Sequence, residues 1–118
     1  MTRLEDQTHR LIVDLLAIYE AQGKLSYFHP VNEGKRNPRT GAHLKRLGMR
    51  KGIPDLVVML TGGQTVFLEV KAPRKDLEPE QAAWFSRLRK AGYTCATVRS
   101  VSEAQLVVDR ALGMARAA

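Results

Sequence analysis

Three side chains in the middle of the sequence have the types and spacing that phosphodiester hydrolysis uses. Thr65 to Lys71 (Thr-Val-Phe-Leu-Glu-Val-Lys) is a β-rich run. Side chains of a strand alternate faces, so Val66, Leu68 and Val70 point one way and Phe67, Glu69 and Lys71 the other. Glu69 and Lys71 are then neighbours on one face, about 7 Å apart along the strand. Asp55 follows Pro54 and opens a second apolar run, Leu56 to Leu60, and the intervening Thr61-Gly-Gly-Gln64 has tight-turn composition, so an antiparallel hairpin is predicted. A position about seven residues before such a turn faces one about seven residues after it, which sets Asp55 opposite Glu69. Two carboxylates and an ammonium thus converge at one end of a sheet.

Carboxylate and carbonyl oxygens bind hard cations such as Mg²⁺ or Mn²⁺, which keep several waters and leave room for a phosphate. Such an ion polarises the scissile phosphate and lowers the pKa of an attacking water. Lys71 suits orienting or deprotonating that water, or offsetting charge on the phosphorane oxygens. Each motif alone has a plainer use: Glu-x-Lys at a strand end as a solvated face or cross-strand ion pair, Asp after Pro as turn chemistry. Their pairing behind a basic segment favours the chemical reading.

The elements that must position these groups are legible from periodicity. Thr2 to Gln22 carries Leu4, Leu11, Ile12, Leu15, Leu16 and Tyr19 at helical spacing, with Thr2 and Glu5 spaced as a capping box and Gly23 as a stop. Leu25 to Pro30 alternates like a short strand ended, or held at an edge, by Pro30. Val31 to Pro54 lacks a sustained period, with a short helix expected near Ala42 to Leu47; a connection of that length is functional or disordered more often than not. After the hairpin, a helix runs from Pro79 to Ala91 with Trp84, Phe85 and Leu88 inward. Tyr93 to Arg99 is a fourth strand. Ser100 and Glu103 form a second capping box opening a helix that carries Val101, Leu106 and Val107. The strand-helix-strand passage from Thr65 to Arg99 predicts a right-handed parallel crossover, hence a mixed sheet with helices packed on it.

The 118 residues correspond to one domain, 1–118, with 44% apolar residues to fill its core. No apolar run is long enough for a membrane span and the first ten residues are too charged for a signal peptide, so a soluble intracellular protein is expected. The one cysteine, Cys95, falls in an apolar strand and reads as a structural thiol. With 19 Lys and Arg against 12 Asp and Glu the net charge is +7, which favours a polyanionic partner, nucleic acid before a membrane surface. The surplus is local. Gly34 to Pro54 holds Lys35, Arg36, Arg39, Lys45, Arg46, Arg50 and Lys51 and no acid, a loop suited to a phosphate backbone beside the carboxylates, and Arg74 and Lys75 extend it. The remaining 12 basic residues balance the 12 acidic ones. The histidines are read as structural or surface groups: His43, His9 on the helical face of Glu5, and His29, which could also touch phosphate. No Cys/His cluster for zinc is apparent.

In order along the chain, Asn32-Glu-Gly34, Gly52-Ile-Pro-Asp-Leu56, Phe67-Leu-Glu-Val-Lys71, Leu77 with Gln81 heading a helix, and Gly92-Tyr93 resemble the PD-(D/E)xK nuclease superfamily, and within it the VRR-NUC (virus-type replication and repair nuclease) family, from Glu5 to about Gln105. A single such motif is weak; the ordered set is considerably stronger. The resemblance implies an α/β restriction-endonuclease-like core of order α-β-β-β-α-β-α. It also implies Mg²⁺ or Mn²⁺ held by Asp55, Glu69 and the backbone carbonyl of Val70, Lys71 as the catalytic lysine, and Gln81 near the active site. Gln81 could instead bond only helix-terminal backbone. The family's first-helix glutamate falls on Glu5, for a second metal or a water, although Glu5 also fits the capping box. Where the family often has Ser or Thr before the Gln81 helix, this chain has Glu78-Pro79, which puts that cap in doubt.

The expected activity is a structure-selective DNA endonuclease. Stand-alone members of the family resemble homodimeric Holliday-junction resolvases, and a chain with one catalytic set needs a second copy to make two symmetric cuts. The setting this implies is the cytoplasm of a bacterial or phage-infected cell. A nuclease for flaps, nicks or plain duplex, and a non-catalytic DNA-binding module, stand as alternatives; intact Asp55, Glu69 and Lys71 weigh against the last.

Overall fold

The computed structural model describes residues 2–30 and 38–117. Helix α1 (Arg3–Ala21) begins at Thr2, whose hydroxyl accepts the Glu5 N–H while the Glu5 carboxylate accepts the Thr2 N–H, so the predicted capping box is complete. Its inward stripe is Glu5, Ile12, Leu16 and Tyr19. Leu4 and Leu11, part of the same apolar spacing, are 49% and 55% exposed. The chain leaves the helix through Gly23 in the left-handed region (φ +74°) and enters strand β1 (Leu25–Phe28), which stops two residues short of Pro30.

The stretch without clear period contains helix α2 (Pro38–Arg46), starting earlier than the helix expected near Ala42. None of its residues is buried. This helix adds one element to the order predicted from the sequence.

Strands β2 (Leu56–Leu60) and β3 (Thr65–Val70) form the predicted hairpin, in register from Leu56↔Leu68 to Met59↔Thr65. Gly62 and Gly63 both have positive φ, which a tight hairpin turn demands and glycine supplies without steric cost. Helix α3 (Pro79–Lys90) carries the chain to β4 (Thr94–Val98), which pairs parallel with β3 from Val66↔Thr94 to Val70↔Val98. β1 pairs antiparallel with β2, giving a mixed sheet of order β1-β2-β3-β4. Helix α4 (Val101–Ala117) closes the described chain. Ser100 accepts the Glu103 N–H, but the Glu103 carboxylate reaches the N–H of Arg99 rather than that of Ser100, so the second box is only half formed.

The core lies between one face of the sheet and the pair α1 and α4. Ile12 and Leu16 meet Leu56, Val58, Val66, Leu68, Val70 and Val98 from the strands and Ala104, Val108, Ala111 and Leu112 from α4. Leu106 is 50% exposed; the core stripe of α4 lies on Ala104 and Val108. Tyr19 Oη donates to Asp109 at 2.6 Å and so ties α1 to α4. α3 packs against β4 and buries Phe85, outside the main cluster. By alternation the α3 side is the face of Phe67 and Glu69. Among the described residues, no helix is long and apolar enough to cross a membrane.

Candidate active site

The hairpin register places Asp55 and Glu69 one step beyond the pair Leu56↔Leu68, as the turn arithmetic requires. Asp55 is fixed by its own partner strand: its Oδ2 accepts the Val70 N–H at 2.8 Å. Glu69 is 3% exposed. Its Oε2 accepts from Gln81 Nε2 at 2.9 Å, whereas its Oε1 is buried with no hydrogen-bond partner among the described residues.

That environment is costly for a negative charge. Burial, then the adjacent Asp55 carboxylate, push Glu69 up to about 9, against the opposing pull of Lys71. Two acceptor-only carboxylates cannot satisfy one another, so a Glu69 carboxyl that keeps its proton is the stable arrangement when no cation is present. A divalent cation would take that proton's place and satisfy the bare oxygen, because metal ligands bind deprotonated. The residues therefore fit the cation that the sequence pattern implies.

Lys71 is 8% exposed, just past the end of β3, and its N–H donates to Val98. Among the described residues its ammonium makes no hydrogen bond or ion pair, so its three N–H donors are uncommitted beside the carboxylates whose charge it stabilises.

Gln81 serves both readings of the sequence. Its Oε1 accepts the backbone N–H of Glu78 at 2.8 Å, which fixes the carboxamide at the helix start and leaves Nε2 to hold Glu69. The doubtful cap of α3 is in this way made by Gln81 on the Glu78 N–H, with Pro79, which has no N–H to satisfy, in the first turn.

Glu5 likewise does two things. Besides capping α1 it accepts the Ala72 N–H at 3.1 Å, which brings the start of α1 to the exit of β3. Burial works to raise its carboxyl, but the Ala72 and Thr2 amides and the charges of Lys71 and Lys75 together hold it below the ordinary value.

Two histidines that the sequence reading set aside lie at the same place. His9 is one turn beyond Glu5 on α1, and His29 follows β1, whose pairing of Phe28 with Val57 carries it to Asp55. The two rings meet edge to face at 4.8 Å. His29 Nδ1 hydrogen-bonds the Asp55 carbonyl oxygen, and His9 Nδ1 is buried with no partner among the described residues. Burial lowers the His9 pKa, against the pull of Asp55. The sequence signal that would have found them is the β1–β2 register, which no local pattern encodes. His43 is exposed on α2.

Of the basic residues, Arg39, Lys45 and Arg46 are exposed on α2. Lys35 and Arg36, with the Asn32-Glu33-Gly34 motif, lie outside the described residues. Arg50 stacks on the Trp84 ring, 5.0 Å from its centroid, and the Lys51 carbonyl accepts the Trp84 indole N–H. Trp84, expected inward, is thus half-buried, packed between α3 and the basic segment. Arg74 has φ +68°, unusual for a side chain other than glycine, and Lys75 follows it, both exposed. Cys95 is buried, as expected of a structural thiol, and burial pushes its pKa up.

The VRR-NUC domain model matches residues 6–102. The chain belongs to the VRR-NUC family. Two solved structures share its fold. One, described as a VRR_NUC domain, is 24% identical over 92% of this chain and 97% of its own, with a TM-score of 0.65. The other, a VRR_NUC domain protein, is 19% identical over 93% and 88%, with a TM-score of 0.69. No curated protein matches the chain. The VRR-NUC assignment carries a nuclease-type function, with DNA as the partner and usual dependence on a metal. The mixed sheet with flanking helices is the α/β architecture expected of its PD-(D/E)xK-like core.

Proposed function

We propose that this VRR-NUC chain is a Mg²⁺- or Mn²⁺-dependent, structure-selective DNA endonuclease that acts as a homodimeric Holliday-junction resolvase in a bacterial or phage-infected cytoplasm, with residues 1–118 as one nuclease domain. The observation that carries the reading is the buried Glu69, with one bare carboxylate oxygen and Asp55 adjacent at the aligned end of the hairpin, and with Lys71 uncommitted at the same end. Asp55, Glu69 and the Val70 carbonyl would hold the ion, with Glu5 reserved for a second ion or a water. When bound, the cation supplies Lewis-acid polarisation of the scissile phosphate and acidifies the attacking water.

The protein's own groups do the rest. Gln81, locked by the Glu78 N–H, keeps the Glu69 carboxylate in one orientation. The Val70 N–H does the same for Asp55. Lys71 places a donor where charge grows on the phosphate or where a water must be oriented. Arg39, Lys45, Arg46, Arg50, Lys51, Arg74 and Lys75, with Lys35 and Arg36, hold the phosphate backbone. A single site makes one cut, so paired cuts across a junction call for two copies related by a two-fold axis.

The test incubates the protein with Mg²⁺ or Mn²⁺ and labelled four-way junction, flap and linear duplex, beside Glu69→Gln and Lys71→Ala. Paired nicking of the junction is expected, with the variants slower by about a hundredfold or more, the scale of losing one charge-stabilising group. Cleavage in excess chelator, or undiminished variants, overturns the mechanism; preference for flap or plain duplex overturns the substrate.

A further inference from the structure

His9, His29 and Asp55 each offer a ligand atom, and the three atoms lie within 4.8 Å of one another. They come from α1, from the exit of β1 and from the entrance of β2, so the tertiary fold, not local sequence, brings them together. Two details separate this cluster from a chance meeting of polar groups. His29 uses Nδ1 on the Asp55 carbonyl oxygen. A carbonyl only accepts, so Nδ1 carries the proton and the neutral ring keeps its lone pair on Nε2. Metal-binding histidines are oriented in this way, with one nitrogen donating to a backbone carbonyl while the other faces the ion. His9 Nδ1, for its part, is buried with no partner among the described residues, an unsatisfied nitrogen where burial makes lack of a partner costly.

We propose that His9, His29 and Asp55 form a cation site of their own, for a borderline transition-metal ion of the Mn²⁺, Co²⁺ or Zn²⁺ type, distinct from the all-oxygen set of Asp55, Glu69 and the Val70 carbonyl and sharing only Asp55 with it. The donor chemistry sets the preference. Imidazole nitrogen suits transition ions, while Mg²⁺ and Ca²⁺ take oxygen. Two imidazoles with one carboxylate leave coordination positions open, as in sites that bind an ion together with water or substrate. Ligand atoms around such an ion sit closer together than 4.8 Å, since metal–nitrogen bonds are about 2.0–2.1 Å long. The exposed His29 ring has the freedom to draw in, while α1 holds His9. The chain would then sort cations through two histidines outside the carboxylate pair.

The test titrates Co²⁺, Zn²⁺ and Mg²⁺ separately into metal-free wild type, Glu69→Gln, His29→Ala and His9→Ala. Binding is followed by calorimetry, and by the visible ligand-field absorption of Co²⁺, which reports nitrogen ligation without any DNA present. Micromolar or tighter Co²⁺ and Zn²⁺ binding is expected in wild type and in Glu69→Gln, with a nitrogen-ligated spectrum, and weakening by about tenfold or more in each histidine variant. His29 is exposed, so His29→Ala keeps the fold even if His9→Ala does not. Equal Co²⁺ affinity in wild type and His29→Ala, or an all-oxygen spectrum, overturns the proposal. Glu69→Gln separates the two sites: it slows the cleavage assigned above and leaves imidazole-bound Co²⁺ intact, so either reading can fail alone.

Discussion

A carboxyl that holds its proton up to about pH 9 makes the metal-free protein sensitive to alkali in an unusual direction. Glu69 has a folded pKa above its unfolded value, so between the two the folded state binds more protons and stability falls as pH rises. In excess chelator the melting temperature should therefore drop between about pH 6 and about pH 8.5, and the drop should be smaller in Glu69→Gln, where no proton is lost. At pH 8.5 the variant should melt higher than wild type by about 4 °C or more, the shift of roughly 1 kcal/mol in a domain of this size. Equal slopes in the two proteins would mean that Glu69 is ionised in the metal-free fold. Asp55, Glu69 and Lys71 were legible in the sequence because strand alternation and a two-glycine turn leave one arrangement for them. Gln81 was legible only as a choice between capping and active-site contact, and in the structure its oxygen takes the Glu78 N–H while its nitrogen holds Glu69. His9 and His29 were not legible, since their neighbourhood depends on how β1 registers on β2.

At the level of elements, the approach to β2 is held by Gly52. Its φ is +77°, and a Cβ built there would sit 2.7 Å from the backbone carbonyl carbon of Glu80 in the first turn of α3. Both the conformation and the space are closed to other residues, and the obstacle is backbone, which cannot swing aside. Gly52→Ala should lower stability by about 1–3 kcal/mol, the range for a strained special backbone position, and push α3 from the hairpin that carries Asp55. Denaturant midpoints measure the first effect, and loss of Co²⁺ or Mg²⁺ affinity the second. A Gly52→Ala protein as stable as wild type would show that this packing yields freely. The helices were read from periodicity with their ends nearly right, but their inward stripes less so. α1 has more apolar residues than one face can hold, and the choice of Ile12 and Leu16 over Leu4 and Leu11 was made by the sheet it lands on. α2 was expected only from Ala42 onward, because its first turn, like the rest of it, has no buried stripe to mark it.

For the whole molecule, the +7 charge resolves into a balanced body and one cationic segment. Its described part is displayed on the exposed α2 and on Arg50 and Lys51 beside Trp84. On duplex DNA the logarithm of affinity should fall with the logarithm of salt at a slope of about −0.9 for each phosphate neutralised. Replacing Lys45 or Arg46 by Gln should weaken binding on every sequence alike and flatten that slope by about 1. Fluorescence anisotropy across a salt series measures it, and an unchanged slope would remove α2 from the interface.

The site is also divided by the length of chain that closes it. The Val70–Asp55 contact spans 15 residues within one hairpin, His29–Asp55 spans 26, and Ala72–Glu5 spans 67. Closing a long loop costs more entropy than closing a short one, and local pairings form before distant ones reward that cost. The carboxylate pair can be assembled by the hairpin alone, while Glu5 and His9 arrive only when α1 docks on the finished sheet. By loop length, the first half of this site is expected to form with the hairpin and the second half with the docking of α1.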